Sequence, residues 1–129
     1  FIDETIESAK DEGKVTTLMG RRRLIPELRA RNRQTRMLGE RLAVNTVIQG
    51  SAADIIKLAM VRCHHKLTAE RLETRLVLQI HDELLFEGPP EETDAVRALV
   101  EREMVAPWEP REPPLAVDVG VGQTWLEAK

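Results

Sequence analysis

The chain has 129 residues, 42% hydrophobic and 32% charged, which is the composition of an ordinary globular domain with one core. Its formal net charge of −3 does not by itself favour a polyanionic partner. No apolar run approaches the roughly eighteen residues of a membrane span, and the single cysteine excludes an internal disulfide framework.

The start of the chain and its one cysteine indicate a cellular location. The chain opens on Phe1-Ile2-Asp3-Glu4, which mixes apolar and acidic residues, so no signal peptide is visible. There is no initiator Met, and we therefore expect a segment cut from a longer protein. Cys63 fits a reducing compartment, which predicts a cytoplasmic protein.

The first elements form a helix and a short hairpin. Residues 3–12 are charged and helix-permissive, and Gly13 is a natural stop. Residues 14–19 and 21–24 are two β-leaning stretches separated by one glycine. Pro26 is expected to end this unit.

Two helices are predicted next. Residues 33–43 are good helix formers, and a second helix should start near Asn45 or Thr46, either of which could cap it. A later start is an alternative, since Ser51-Ala52-Ala53-Asp54 has the pattern of a capping box. The apolar residues that recur at spacings of three and four are Ile48, Ala52, Ile55, Ile56, Ala59 and Cys63.

The remaining elements predict an α+β fold. Residues 75–80 and 84–87 are strands, 91–104 a helix with an acidic first turn, and 115–121 a third strand by its alternation. A short helix should follow Thr124. We expect a small antiparallel sheet with a hairpin packed against helices.

The hairpin between residues 75 and 87 carries the first candidate site. Its turn must fall on His81-Asp82-Glu83, which contains no glycine although tight hairpins need positive φ. A local rule broken at a charged turn between apolar strands often marks function. We interpret Asp82 as a candidate Mg²⁺ ligand on a rigid tip, and a merely charged surface turn is the alternative.

Positive charge is concentrated in one segment. Between Gly20 and Arg41 there are eight arginines against two acids, a net charge of +6 that suits a polyanion. Arg21, Arg22 and Arg23 could bind phosphates without reading sequence, or could form a solvated turn.

A polar line is the third candidate. Arg41, Asn45 and Gln49 are spaced by four, and small residues follow them closely. Such side chains can donate to the acceptors that every base pair shows in the minor groove, so they would read pair geometry without reading sequence. The alternative is a solvated helix face with Asn45 as a cap.

The motif Gln79-Ile80-His81-Asp82-Glu83-Leu84 resembles the last motif of the family A DNA polymerases, the DNA polymerase I family. The resemblance implies that Asp82 binds the catalytic metals, that Glu83 assists less directly, and that His81 lies by the primer terminus. Residues 15–23, 40–54 and 118–125 are similar to further motifs of the family, in the right order. Val47 departs from a usual Pro and Lys14 from a usual Tyr.

The resemblance implies the C-terminal part of a polymerase domain. Residues 1–44 would supply a helix, a basic hairpin and a helix, and residues 45–129 a palm portion. The parent would be a monomeric DNA-directed DNA polymerase of replication and repair, acting on primer-template DNA and an incoming dNTP with two Mg²⁺ ions. The partner carboxylate and the triphosphate-binding fingers helix are absent from this sequence, so we expect the segment alone to be inactive.

Two alternatives belong to other classes. One is a non-catalytic DNA-binding module, which weak, salt-sensitive binding would support. The other is a His-Asp metal phosphohydrolase that uses His64 or His65 with His81 and Asp82. Such sites place the His-Asp pair on helices, so a strand-turn-strand at residues 75–87 would exclude it.

Overall fold

Four helices, two antiparallel hairpins and two 3₁₀ turns make up the chain. The structure, a computed structural model, describes residues 1–129, and the α+β prediction is confirmed. In chain order the elements are α1 (Ile2–Glu12), β1 (Lys14–Thr16), β2 (Arg22–Leu24), a 3₁₀ turn (Pro26–Arg29), α2 (Arg33–Ala69), β3 (Arg75–Ile80), β4 (Glu83–Glu87), a 3₁₀ turn (Pro90–Glu92), α3 (Thr93–Val105) and α4 (Trp125–Ala128). None of these helices combines the length and the apolarity that crossing a membrane requires.

The chain divides into two compact units, Phe1–Ile55 and Ile56–Lys129. The predicted division between residues 44 and 45 concerns family regions, and it stays a prediction. Each unit has its own cluster of buried residues, so each is described by itself.

The first unit is built around the hairpin β1–β2. Helix α1 ends at Gly13, whose φ of 72° is a left-handed conformation that glycine adopts without strain. The strands then pair in antiparallel register from Lys14 with Leu24 to Thr16 with Arg22. The buried core of this unit is Ala9, Val15, Ile25, Leu28 and Ala43.

Helix α2 corrects the prediction of two helices, because it is continuous from Arg33 to Ala69. Its N-terminal cap is Asn32, whose Oδ1 atom accepts hydrogen bonds from the backbone N–H groups of Gln34 and Thr35. The predicted caps Asn45 and Thr46 lie inside the helix, where no breaker interrupts it.

The predicted capping box and apolar face of this helix are also partly wrong. Ser51 and Asp54 are interior helical residues whose side chains bond to the β1–β2 hairpin. Ile48 and Ala52 are exposed, whereas Ala59 and Cys63 are buried as expected. The periodicity therefore identified the later turns of the helix correctly and the earlier ones incorrectly.

The second unit contains the hairpin β3–β4. The strands pair from Arg75 with Glu87 to Ile80 with Glu83, and a bulge at Val77 interrupts the register. Phe86 packs on a core formed by α2 and α3, which anchors the hairpin against helices as predicted. The core residues are Cys63, Leu67, Leu99 and Val100.

The C-terminal region corrects one prediction and confirms another. Residues 115–121 form no strand, so the strand predicted there is absent and the chain has two separate two-stranded sheets. Alternation shows which residues could share a face, but a strand also needs a partner edge, and none pairs with this stretch. Helix α4 begins after Thr124, whose side chain accepts a hydrogen bond from the N–H of Glu127.

Candidate functional site

The tip of the β3–β4 hairpin is a two-residue turn formed by His81 and Asp82. Glu83 already belongs to β4 and pairs with Ile80, so the turn is one residue shorter than predicted. His81 has a φ of 53°, and Asp82 has no positive φ, so only the first of the two turn residues adopts a positive φ.

A side chain from β3 braces this turn. The Nε2 atom of Gln79 donates a hydrogen bond to the carbonyl oxygen of His81 at 2.6 Å. A left-handed non-glycine residue costs roughly 1–3 kcal/mol and persists only where its surroundings hold it in place. The brace and the strand pairing on both sides therefore hold Asp82 on a fixed tip.

The tip presents three polar side chains to solvent. His81, Asp82 and Glu83 are all exposed, and the Asp82 carboxylate makes no hydrogen bond within the chain. The chain has no group of three or more His, Cys, Asp or Glu side chains arranged to hold a metal ion. The tip can therefore offer one or two hard oxygen ligands, which is the number of protein carboxylates that Mg²⁺ commonly takes.

The strand-turn-strand geometry also excludes one alternative, the His-Asp metal phosphohydrolase. Asp82 and His81 lie on a hairpin, while His64 and His65 are exposed on α2. The His-Asp phosphohydrolase prediction requires the pair on helices, so it is wrong.

The polar line Arg41, Asn45 and Gln49 lies on the continuous helix α2. All three side chains are exposed, and the spacing of four brings them to one side of the helix. Their role toward DNA stays a prediction. What the helix provides is a row of hydrogen-bond donors on a rigid support.

An open groove of about 570 Å³ adjoins this line. It lies between α1 and the first turns of α2, and it brings apolar side chains beside Arg41 and Asn45. The lining residues are Ile2, Ile6, Gln34, Met37, Glu40, Arg41, Val44 and Asn45.

The three arginines of the basic hairpin differ in their partners. The Nε atom of Arg21 donates to Oδ1 of Asp54 at 2.8 Å, and an Nη1 atom of Arg23 donates to Oγ1 of Thr46 at 2.9 Å. The Arg22 side chain is exposed and makes no hydrogen bond or ion pair within the chain. Sequence analysis gave these three arginines the same role, but their partners in the structure differ.

A buried polar network joins this hairpin to α2, and sequence reasoning missed it. The Thr17 hydroxyl donates to Oδ2 of Asp54 at 2.6 Å, and the Leu18 N–H donates to Oγ of Ser51 at 2.9 Å. Thr17, Ser51 and Asp54 are all buried. The only signal was the misread capping box, because these partners lie far apart in the sequence.

Two acids in the second unit support its framework. Burial raises the pKa of the Glu103 carboxyl, but hydrogen bonds from Arg102 and Arg62 outweigh this and hold the pKa below its ordinary value of 4.5. The pKa of Glu92 is also lowered, first by the Thr74 hydroxyl and then by backbone N–H groups. Glu92 thereby fixes the residues that enter β3.

Known proteins match nearly the whole length of this chain. The sequence matches the family described as DNA polymerase family A over residues 1–127. It is 46% identical over 132 residues to DNA polymerase I of Caldicellulosiruptor bescii, which covers 100% of this chain and 15% of that protein. It is 48% identical over 129 residues to DNA polymerase I of Bacillus subtilis, covering 100% of this chain and 14% of that protein.

A solved structure has the same fold. It is described as the POL domain of Pol1 from M. smegmatis in complex with DNA primer-template and dNTP, and it superposes with a TM-score of 0.94 at 42% identity. The superposition covers 98% of this chain and 22% of that chain. The chain thus spans 14% to 15% of the length of the two curated relatives.

Proposed function

This chain belongs to DNA polymerase family A, and from that membership we propose that it works as part of a DNA-directed DNA polymerase. In this proposal it supplies one metal-binding carboxylate and a set of contacts to primer-template DNA for nucleotidyl transfer. The observation that carries the proposal is the exposed Asp82 on its braced two-residue turn.

Asp82 is proposed as the metal ligand, with Glu83 beside it. The donor set fits Mg²⁺, because both side chains are exposed carboxylates on a rigid support and the ion prefers oxygen ligands. Two Mg²⁺ ions would activate the attacking primer hydroxyl and stabilise the charge on the leaving group. His81, on the same turn, is proposed to contact the primer terminus.

Arg41, Asn45 and Gln49 are proposed to hold the base-paired end of the DNA. Their donors would reach adenine N3 and thymine O2, which lie in equivalent positions in every correct pair. Contacts of this kind depend on pair geometry and not on sequence, as a template-copying enzyme requires. Arg22, which has no partner within the chain, is available for a phosphate.

The segment by itself is proposed to be inactive. Nucleotidyl transfer with two metal ions needs a second carboxylate facing Asp82, and the family motif expected to supply it does not occur in this sequence. The residues proposed for the DNA contacts, in contrast, lie in this chain. A non-catalytic DNA-binding module is therefore the second candidate for the isolated segment.

The test uses the complete polymerase that contains this segment. Asp82→Asn keeps the shape of the side chain but removes the charge, so we expect kcat to fall by at least about 10³-fold with little change in primer-template affinity. Glu87→Gln, an exposed acid at the far end of β4, is the matched control and should leave kcat unchanged. Normal turnover by the Asp82→Asn enzyme would refute the metal-ligand role.

A further inference from the structure

The side of α2 next to the polar line is covered by the basic hairpin. Thr46 and Gly50 each follow one residue after Asn45 and Gln49, so they lie about 100° further around the helix. Asp54 continues the same row one turn later. The hairpin therefore holds the helix by the side adjacent to its proposed DNA-contacting face.

Two arginines make most of these contacts. Arg23 donates to Oγ1 of Thr46 at 2.9 Å. Arg21 donates through Nη2 to the carbonyl oxygen of Gly50 at 3.3 Å and through Nε to Asp54 at 2.8 Å. Arg21 thus bridges two successive turns of the helix beside Gln49.

Asp54 is the acidic partner of Arg21. Its side chain is 10% exposed, and its other carboxylate oxygen accepts the hydrogen bond from Thr17. A buried carboxylate that loses its cation costs several kcal/mol. A DNA phosphate would therefore have to compete with this ion pair for Arg21.

Arg22 has the opposite orientation. Successive residues of a strand point to opposite faces, so Arg22 faces away from the side of the hairpin that Arg21 and Arg23 use. Its side chain is exposed and has no partner within the chain. Arg21 and Arg23 therefore contact α2, whereas Arg22 does not.

We propose that Arg21, assisted by Arg23, is a positioning residue that fixes the rotation of Asn45 and Gln49 about the axis of α2, and that Arg22 alone of the three contacts a DNA phosphate. The inference rests on the proposed function of Arg41, Asn45 and Gln49. Side-chain ends lie about 5–6 Å from a helix axis, so a rotation of about 20° moves them about 2 Å. Hydrogen bonds tolerate about 0.5 Å, so a small rotation would break the minor-groove contacts.

The first test measures how primer-template affinity depends on salt, in the complete polymerase that contains this segment. The slope, taken as the magnitude of the fall of log K with log salt, decreases by about 0.9 when one phosphate contact is removed. Arg22→Gln should therefore lower the slope by about that amount, and Arg21→Gln should leave it unchanged. An equal fall in slope for Arg21→Gln would overturn the proposal, as would an unchanged slope for Arg22→Gln.

The second test measures the minor-groove contacts themselves. Extension is compared for primer ends that carry adenine or 3-deazaadenine, which lacks the N3 acceptor. In the wild-type enzyme, the ratio of the extension rate with adenine to that with 3-deazaadenine measures the contact to N3. Arg21→Gln should reduce this ratio by up to about tenfold, the effect of one hydrogen bond. A merely structural role would lower Tm and leave the ratio unchanged, and that result would overturn the proposal.

Two further variants separate this inference from the proposed function. Asn45→Ala and Gln49→Ala should shrink the same ratio, and if neither does, the minor-groove role itself fails. If they shrink it while Arg21→Gln does not, only the positioning role fails. Asp54→Asn should reproduce Arg21→Gln, and the double variant should be no worse than either single one; an additive loss would contradict the proposed coupling.

Discussion

Gly50 lies so close to Thr17 that a Cβ atom at position 50 would be 2.9 Å from the Thr17 Cγ2 atom. The same added atom would be 3.2 Å from Nη2 of Arg21. Glycine costs up to about 1 kcal/mol inside a helix, so its presence in the middle of α2 is explained by the close approach of the hairpin.

The first prediction concerns this contact. Gly50→Ala should lower the free energy of unfolding by about 1–3 kcal/mol, because Thr17 is buried and cannot move away. Chemical denaturation of the protein measures the change. Ala52→Gly, on the exposed side of α2, is the control and should cost about 1 kcal/mol through helix propensity alone. Stabilisation by Gly50→Ala would show that the two elements do not approach closely.

The second prediction concerns the only thiol. Burial raises the pKa of Cys63 to about 11, and the nearby charge of Glu103 adds to this effect. At pH 8 the folded chain should react with iodoacetamide only through unfolding, and denaturant should make labelling rapid. A Cys63→Ser, His64→Cys variant moves the thiol to an exposed neighbour and should react at once. Rapid labelling of native Cys63 would contradict its burial.

The third prediction concerns acid stability. The pKa of Glu103 is lower in the folded state than its ordinary value of 4.5, so its contribution is present above that pH. The contribution should disappear as the pH falls through the lowered folded-state pKa. Glu103→Gln should cost about 1–3 kcal/mol at pH 7 and flatten the loss of stability in acid. Glu101→Gln, exposed on the same helix, should change neither quantity.

The fourth prediction concerns the 129-residue chain by itself. It should incorporate no nucleotide on a primer-template, since only Asp82 and Glu83 are offered as ligands. Weak binding to primer-template DNA is expected, and it should fall as salt rises. Fluorescence anisotropy at two salt concentrations measures this binding, with Arg22→Gln as the weakened variant. Templated incorporation free of host polymerase would show that the chain is complete as an enzyme.

Local signals in the sequence were sufficient for several elements. Gly13 ends α1, and the branched residues of 75–80 form β3, because each depends mainly on its own neighbours. The same signals failed in α2, where Thr46, Ser51 and Asp54 are residue types that often cap helices. Their side chains bond instead to a hairpin that lies 23 to 37 residues away in the sequence, which no local pattern reveals.

Some features of the candidate sites could likewise be predicted from the local sequence, and others could not. The position of Asp82 at a turn could be predicted because two strand-like stretches, residues 75–80 and 84–87, flank it with almost no residues between them. The inequality of Arg21 and Arg22 could not, since it depends on Asp54. The alternation of residues 115–121 was equally uninformative, because strand formation depends on an available partner edge.

The two-residue turn at His81 and Asp82 also limits how this region can vary in length. Ile80 and Glu83 form the last pair of the β3–β4 hairpin directly beside the turn, so an inserted residue cannot fit without changing the turn or the strand pairing. It would either shift the pairing register, which turns every side chain of one strand to the opposite face, or lengthen the turn and move Asp82 away from the end of the strands. Substitutions at the tip can change its chemistry, but insertions and deletions there should be far more damaging than point changes.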